Sequence, residues 1–121
     1  MRREDVAARL LLALDSHDDL ALASVLDPDI RMLVDSGDAT GGERRGRAVV
    51  ARVLVNRLAM LPDASLRAVH VNGRPGIAAT RRDGEVVAVL GIETGWRGGI
   101  TALWLSTAPD KLTGWNRPGS H

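Results

Sequence analysis

The sequence predicts an α+β domain, with helices mainly in the first half and an antiparallel sheet in the second half. Two observations lead to this fold class. Up to residue 61, apolar residues recur mostly at the spacing of amphipathic helices, whereas from residue 65 they occur in short strand-like runs separated by Gly-containing turns. A chain of 121 residues also matches one ordinary domain. We therefore expect three helices on one face of a curved sheet, with a cavity between the layers.

The first two helices are predicted from an apolar stripe and a capping pattern. Val6, Leu10 and Leu14 recur at four-residue spacing, which indicates an amphipathic helix over residues 3–14. Ser16 and Asp19 have the spacing of a capping box, so we expect a second, short helix to begin there. An Asp-Pro-Asp sequence at 27–29 ends that helix, because a residue before proline avoids helical geometry.

One strand, a loop and a third helix are expected next. Residues 30–34 are apolar and strand-like, and Asp35 closes the strand. Residues 36–46 include four glycines and several charged residues, a composition typical of a loop. The third helix ends at a Pro-Asp pair at 62–63, and its apolar stripe consists of Val50, Val53, Leu54, Leu58 and Leu61.

Four further strands are expected to form an antiparallel meander. Asn-Gly, Asp-Gly and a Gly-rich turn separate runs at 65–72, 76–80, 85–93 and 100–107. Residues 86–90 are apolar on both alternating faces, so the side of this strand away from the helices also needs cover. A homodimer interface is the simplest cover. Residues 1–112 then form the single domain, and 113–121 a flexible tail whose Gly-Ser-His end resembles a tag remnant.

Composition excludes several classes of function. The net charge of +1 lacks the strong field of a dedicated nucleic-acid binder. The absence of cysteine excludes disulfides, thiolate metal sites and cysteine nucleophiles, and Phe and Tyr are also absent. The three histidines, His17, His70 and His121, have no ligand spacing. We expect a cytoplasmic protein without metal, cofactor, membrane span or direct nucleic-acid contact.

Three local sequences and the order of elements resemble one known group of proteins. They are Asp-Ser-Gly-Asp at 35–38, Val-Asn-Gly-Arg-Pro-Gly at 71–76 and Ala-Pro-Asp-Lys-Leu at 108–112. Together they are similar to the SnoaL-like branch of the nuclear transport factor 2-like superfamily, and most similar to the SnoaL-like extension at the carboxyl end of extracytoplasmic-function sigma factors. The first sequence departs from the family's Asp-Gly-Gly-Gly-Lys, because it lacks the second Gly and the Lys. The resemblance implies a cone-shaped fold with a central pocket.

The resemblance implies two alternative functions. The first is a small-molecule-binding or regulatory domain, without DNA-binding regions of its own, in the context of a sigma factor or polymerase. In that case Asn72, Asp110 and Lys111 belong to the regulatory or interaction motifs. The second is a small polyketide-cyclase-like, isomerase-like or dehydratase-like enzyme. We favour binding, because the chain has no tyrosine to serve as a phenolic donor in an oxyanion site.

Three residues are the candidates for the pocket itself. Asp35 ends a strand beside a Gly-rich loop, where a carboxylate could act as a general base or cap local amides. His70 could exchange protons with Asp35 or a ligand, or be a structural histidine. Trp104, on the last strand, either lines the pocket or fills the core. We expect a mostly apolar pocket for a small apolar ligand, with Asp35 and His70 as its polar groups, because no Phe or Tyr is available to fill the cone.

Overall fold

The computed structural model describes residues 3–61 and 63–116. The helices are α1 (Arg3–Asp15), α2 (Asp19–Val25), α3 (Arg47–Ala59) and α4 (Thr113–Asn116). The strands are β1 (Leu26–Asp35), β2 (Gly42–Arg45), β3 (Ser65–Val71), β4 (Arg74–Thr80), β5 (Val86–Thr94) and β6 (Ile100–Ser106). A 3-10 turn, Pro109–Lys111, precedes α4. The predicted fold class, an α+β domain with three helices packed on a curved sheet, is confirmed.

In the described part of the chain, the strands form one curved sheet in the order β2-β1-β6-β5-β4-β3. Strands β3 to β6 form the expected antiparallel meander. The first strand adds a parallel pair to this meander, because β1 lies parallel to β6. The chain leaves β1, passes through β2, α3 and the three strands β3 to β5, and returns as β6 beside β1 in the same direction. The loop expected at 36–46 also contains β2, which pairs with β1.

Helices α1, α2 and α3 cover one face of the sheet, which we call the inner face. Alternate residues of the strands point toward them, as the pleat of a strand requires. On the two central strands Leu103 and Leu105 of β6 lie opposite Ile92 and Leu90 of β5. These four side chains are buried with the apolar stripes of the helices in one cluster. The stripe residues that the sequence predicts in α1 (Val6, Leu10 and Leu14) are all buried in it.

The C-terminal segment covers part of the opposite face, which we call the outer face. Leu112 is buried with Ala78, Val86 and Val89, and Trp115 of α4 packs against the same cluster. This contact explains why residues 86–90 are apolar on both sides. The cover is intramolecular, so the pattern does not require the dimer interface that the sequence analysis placed there.

Asn116 joins the C-terminal segment to the start of β5. The backbone N–H of Val86 donates to its side-chain Oδ1 (2.7 Å), and its Nδ2 donates to the carbonyl of Val86 (3.0 Å). The side-chain amide therefore takes the place of a neighbouring strand at this point. Residues 113–116, which the sequence analysis assigned to a flexible tail, form a docked helical turn. The remainder of that tail, 117–121, lies outside the described residues.

We expect Leu112→Ala to lower the free energy of unfolding by about 2 to 3 kcal/mol, because it removes a buried side chain from the outer-face cluster. Leu20→Ala is the matched control. Leu20 is 85% exposed on α2, and its truncation should change stability by no more than about 0.5 kcal/mol. Urea denaturation measures both variants. Equal, small effects of the two substitutions would contradict a docked C-terminal segment.

Candidate ligand-binding cavity

A cavity of about 360 Å³ opens between the helices and the β3–β4 end of the sheet. Helix α1 contributes Ala13 and Leu14, and α3 contributes Val55, Leu58 and Ala59. The other apolar lining residues come from α2, from the connection after α3 and from the inner face: Leu22, Leu61, Ala64, Leu66 and Ala79. Small side chains at several of these places leave the space open. The lining that comes from α3, from the connection after it and from the sheet is therefore apolar.

The floor of the cavity continues into the core without a polar group. Leu14, Leu58, Leu66 and Ala79 also border a very small void of about 10 Å³. That void is closed by Ile77, Ala88, Leu90 and Leu105. Every fully buried residue in the described part of the chain is apolar. A molecule at the bottom of the cavity therefore contacts hydrocarbon.

The polar lining residues, Asp15, His17 and Asp19, lie together in the turn between α1 and α2. This turn is built from two consecutive helix caps. His17 has a φ of 54°, and the backbone N–H groups of His17 and Asp18 donate to the carbonyls of Leu14 and Ala13, a Schellman-type end for α1. The carboxylate of Asp18 then accepts from the N–H of Ala21 (3.0 Å) and caps α2.

The capping residue in this turn differs from the prediction. Ser16 was expected to cap α2, but its hydroxyl donates to the carbonyl of Leu12 (2.6 Å) at the end of α1. Asp18 takes the capping position two residues later. The shift carries His17 to the cavity mouth, which the sequence analysis did not foresee. The Asp-Ser-His-Asp-Asp run between two helices was the signal available in the sequence.

The predicted pocket residues do not come together in the structure. Asp35 and Trp104 both lie on the outer face. Trp104, which pairs with Gly91, alternates along β6 with the buried Leu103 and Leu105, so its side chain points to the other side of the sheet. Asp35 pairs with Ser106, the residue after Leu105, and points to the same side as Trp104. Trp104 is 42% exposed and borders no part of the cavity. The interpretation of Trp104 as core or pocket lining was therefore wrong. Its ring lies over Gly91, where the absence of a side chain leaves room for it.

Asp35 contacts the C-terminal segment on the outer face. Its carboxylate lies 3.9 Å from the ammonium group of Lys111. Its carbonyl accepts from the backbone N–H groups of Thr107 and Ala108 (2.9 and 3.2 Å). The exposed ion pair contributes little, roughly 0 to 1 kcal/mol. The Asp35–His70 proton-transfer pair that the sequence suggested is excluded by position, because the sheet separates the two side chains.

His70 lies on the inner face of β3, outside the main cavity. It borders a second, shallower groove between α1 and β3, of about 310 Å³.

The other two predicted motif residues, Asn72 and Asp110, have local contacts. Asn72 has a φ of 53° in the two-residue turn between β3 and β4, where Gly73 also has positive φ, and Asp110 accepts from the hydroxyl of Thr113 through its carbonyl (3.2 Å).

The loop after β1 is organised around Asp38. The carboxylate accepts from the hydroxyl of Thr40 (2.6 Å), from the backbone N–H of Thr40 (2.8 Å) and from the hydroxyl of Ser36 (2.9 Å). These bonds, led by the Thr40 hydroxyl and assisted by the charge of Arg57, hold the pKa of Asp38 below its ordinary value of 3.8. Arg57 also donates to the carbonyl of Thr40, which ties the loop to α3. In the structure, the Asp-Ser-Gly-Asp motif therefore shapes a loop outside the cavity.

Two further observations concern the described residues alone. No group of three or more His, Asp or Glu side chains among them is arranged to hold a metal ion. None of the helices they form combines the length and apolar composition needed to cross a membrane. His121, the third histidine, lies outside the described residues.

Comparison with known proteins identifies the fold. No family model matches the sequence, and no curated protein is significantly similar to it. The structure is similar to that of the extracytoplasmic function sigma factor SigJ of Mycobacterium tuberculosis, with a TM-score of 0.69 and 23% identity over 93% of this chain. It is also similar to a SnoaL-like protein of unknown function from Burkholderia thailandensis, with a TM-score of 0.62 and 17% identity over 85% of this chain and 91% of the other.

This chain has the SnoaL-like, nuclear transport factor 2-like fold. The expectation drawn from the three local sequences is confirmed at the level of fold. The match to SigJ covers 44% of the sigma factor's length, so the chain corresponds to less than half of that protein. A third similar structure, from Mycobacterium tuberculosis, is a complex with estradiol-17beta-hemisuccinate (TM-score 0.59, 12% identity, 87% of this chain and 93% of the other).

We expect the Asp38 carboxyl to titrate below pH 3.8 and Thr40→Val to raise its pKa toward that value, because the variant loses the strongest bond to the ionised form. The pKa of Asp38 is lower in the folded protein than in the unfolded chain, so ionised Asp38 stabilises the fold at every pH above the unfolded pKa. This stabilisation is lost as the pH falls through the folded pKa. Carbon-13 NMR of the carboxyl carbon measures both titrations. Thr101→Val, on β6, is the control and should leave Asp38 unchanged. An unchanged Asp38 pKa in Thr40→Val would contradict the assignment.

Proposed function

We propose that this domain binds a small apolar molecule in the cavity between its helices and sheet, and that it acts as a non-catalytic regulatory module. The observation that carries the proposal is the distribution of polarity in the cavity. The walls and floor are apolar, whereas Asp15, His17 and Asp19 lie in the exposed turn at the mouth. Burial of apolar ligand surface is thus the main source of affinity, at about 25 cal/mol per Å².

The size of the cavity favours a compact ligand. About 360 Å³ lies at the lower end of the roughly 300–1,000 Å³ found for small-molecule sites. The similar Mycobacterium tuberculosis structure in complex with estradiol-17beta-hemisuccinate supports a polycyclic apolar body as the ligand class. We propose that such a body occupies the cavity and that any polar end of it remains at the α1–α2 turn.

The regulatory role is proposed from the likeness to the sigma factor. The domain matches a part of SigJ that is less than half of that chain. A ligand that contacts α1, α2 and α3 at once stabilises their arrangement, so occupancy can be transmitted to whatever protein surface lies against these helices. This proposal attributes to the domain a sensing role and no direct contact with DNA.

The enzyme alternative requires catalytic groups inside the cavity. A cyclase, isomerase or dehydratase needs a proton-transfer group within hydrogen-bonding reach of the reacting atom. Among the described lining residues only the rim carries such groups. A substrate that fills the apolar part therefore has its buried atoms away from any acid or base, which favours binding over catalysis.

We expect Val55→Trp to weaken the binding of estradiol-17beta-hemisuccinate at least tenfold, because the larger side chain fills the cavity from α3. Val49→Trp is the matched control. Val49 lies on the same helix, and both valines are 37% exposed, but Val49 is not part of the lining. Isothermal titration calorimetry measures the two affinities, and the control should bind like the unaltered protein.

Two results would contradict the proposal. Equal affinity of both tryptophan variants would place the ligand elsewhere. Chemical conversion of the ligand during incubation, abolished by His17→Gly, would establish the enzyme alternative. The glycine suits the positive φ at position 17, so that variant removes the imidazole without disturbing the turn.

A further inference from the structure

The two edges of the sheet differ in how well they are protected against pairing with another strand. At one edge, β2 has four residues, and its Glu43, Arg44 and Arg45 are charged. At the other edge, β3 has seven residues and pairs with β4 in an unbroken register without a bulge. β3 contains neither proline nor lysine. Short, charged edges resist association, whereas long, regular ones favour it.

The turn between β3 and β4 determines which backbone groups of β3 are free. In a hairpin with a two-residue turn, the residues that flank the turn, here Val71 and Arg74, form a hydrogen-bonded pair. Pairs then alternate, so Leu66, Ala68 and His70 direct their N–H and carbonyl groups away from β4. The pairing of His70 with Pro75 agrees with this pattern, because proline has no N–H to donate.

We propose that the free edge of β3 binds the β3 edge of a second copy of this chain, in antiparallel orientation, with the two-fold axis at Ala68. The occupant is identified by the self-complementarity of the edge. In this register Ala68 lies opposite Ala68, Leu66 opposite His70, and Arg67 opposite Val69. No two like charges lie directly opposite each other, and the backbone groups of Leu66, Ala68 and His70 in each copy bond to those of the other.

A complementary donor and acceptor beside the edge support the same occupant. Asp15 lines the main cavity together with Leu66, and it also borders the groove along β3. It therefore lies beside the Leu66 end of the strand. The two-fold axis brings His70 of the second copy opposite that end. The imidazole and the Asp15 carboxylate then lie on the same, inner side of the extended sheet. Each interface contains this pair twice.

An apolar row on α1 lies next to the free edge. Leu11 and Leu12 border the groove between α1 and β3 together with Ala8, and Leu12 is 68% exposed. Ala68 is exposed even though its side chain is on the inner face. A second copy places its own α1 against this row, which buries apolar surface in addition to the strand pairing. The homodimer expected from β5 is thus proposed at a different surface.

The test is the oligomeric state of the whole chain by sedimentation equilibrium, from micromolar to millimolar protein. The unaltered chain should sediment at about twice its 12.9 kDa mass. Ala68→Pro should be monomeric and folded, because it removes an N–H that faces away from β4. Leu33→Asp is the control. Leu33 is 47% exposed on the outer face, so a dimer formed by that face would dissociate and an edge dimer would not.

A second measurement keeps the test valid if Ala68→Pro fails to fold. Amide hydrogen exchange at Ala68 and His70 of the unaltered chain should slow at least tenfold as the protein concentration rises through the association range. A monomer at all concentrations would overturn the proposal. So would a dimer that Leu33→Asp dissociates, or exchange at these two amides that does not depend on concentration.

Discussion

The space between the three helices and the curved sheet is larger than the side chains available to fill it. The chain has no Phe and no Tyr, so its three tryptophans are its only large aromatic residues. All three lie elsewhere. Trp96 is 90% exposed in the β5–β6 turn, Trp104 lies on the outer face, and Trp115 packs on the outer-face cluster. The interior therefore consists of aliphatic residues and Met32, and the cone is left partly open.

The two faces of the sheet have different tasks in this arrangement. The inner face builds the apolar cavity, whose depth contains no titratable group among the described residues. The outer face is stabilised by the C-terminal segment, through Leu112, Trp115 and the two hydrogen bonds between Asn116 and Val86. Asp35, a candidate pocket residue, and Lys111, which the family resemblance associated with regulation, lie on this outer side. Their contact lies on the opposite side of the sheet from the cavity.

Periodicity was sufficient to predict the elements that bury one apolar side. The stripe of α1 and the runs of β3 to β6 agree with the structure within about two residues at most ends. The direction of β1 and the existence of β2 were not predictable in this way, because both depend on pairing between residues far apart in sequence. The capping residue of α2 was missed for a local reason: Ser16 and Asp18 both suit the position, and the Schellman-type end of α1 decides between them.

The candidate site was less predictable than the fold. An open interior followed from composition, but strand register decides which face a residue occupies, and a shift of one residue reverses it. Asp35 and Trp104 fall on the outer face for this reason, and His70 falls on the inner face beside an edge. The rim residues Asp15, His17 and Asp19 become neighbours of the cavity only through the turn that joins α1 and α2.

The central claim is that the cavity between helices and sheet is the binding site. Methyl NMR with estradiol-17beta-hemisuccinate tests it most directly, because Leu and Val methyl groups report from both faces of the sheet. The claim predicts that ligand shifts the signals of Leu14, Leu22, Leu58 and Leu66 while those of Leu33 and Val89 stay in place. Shifts confined to Leu33 and Val89, on the outer face, would contradict it.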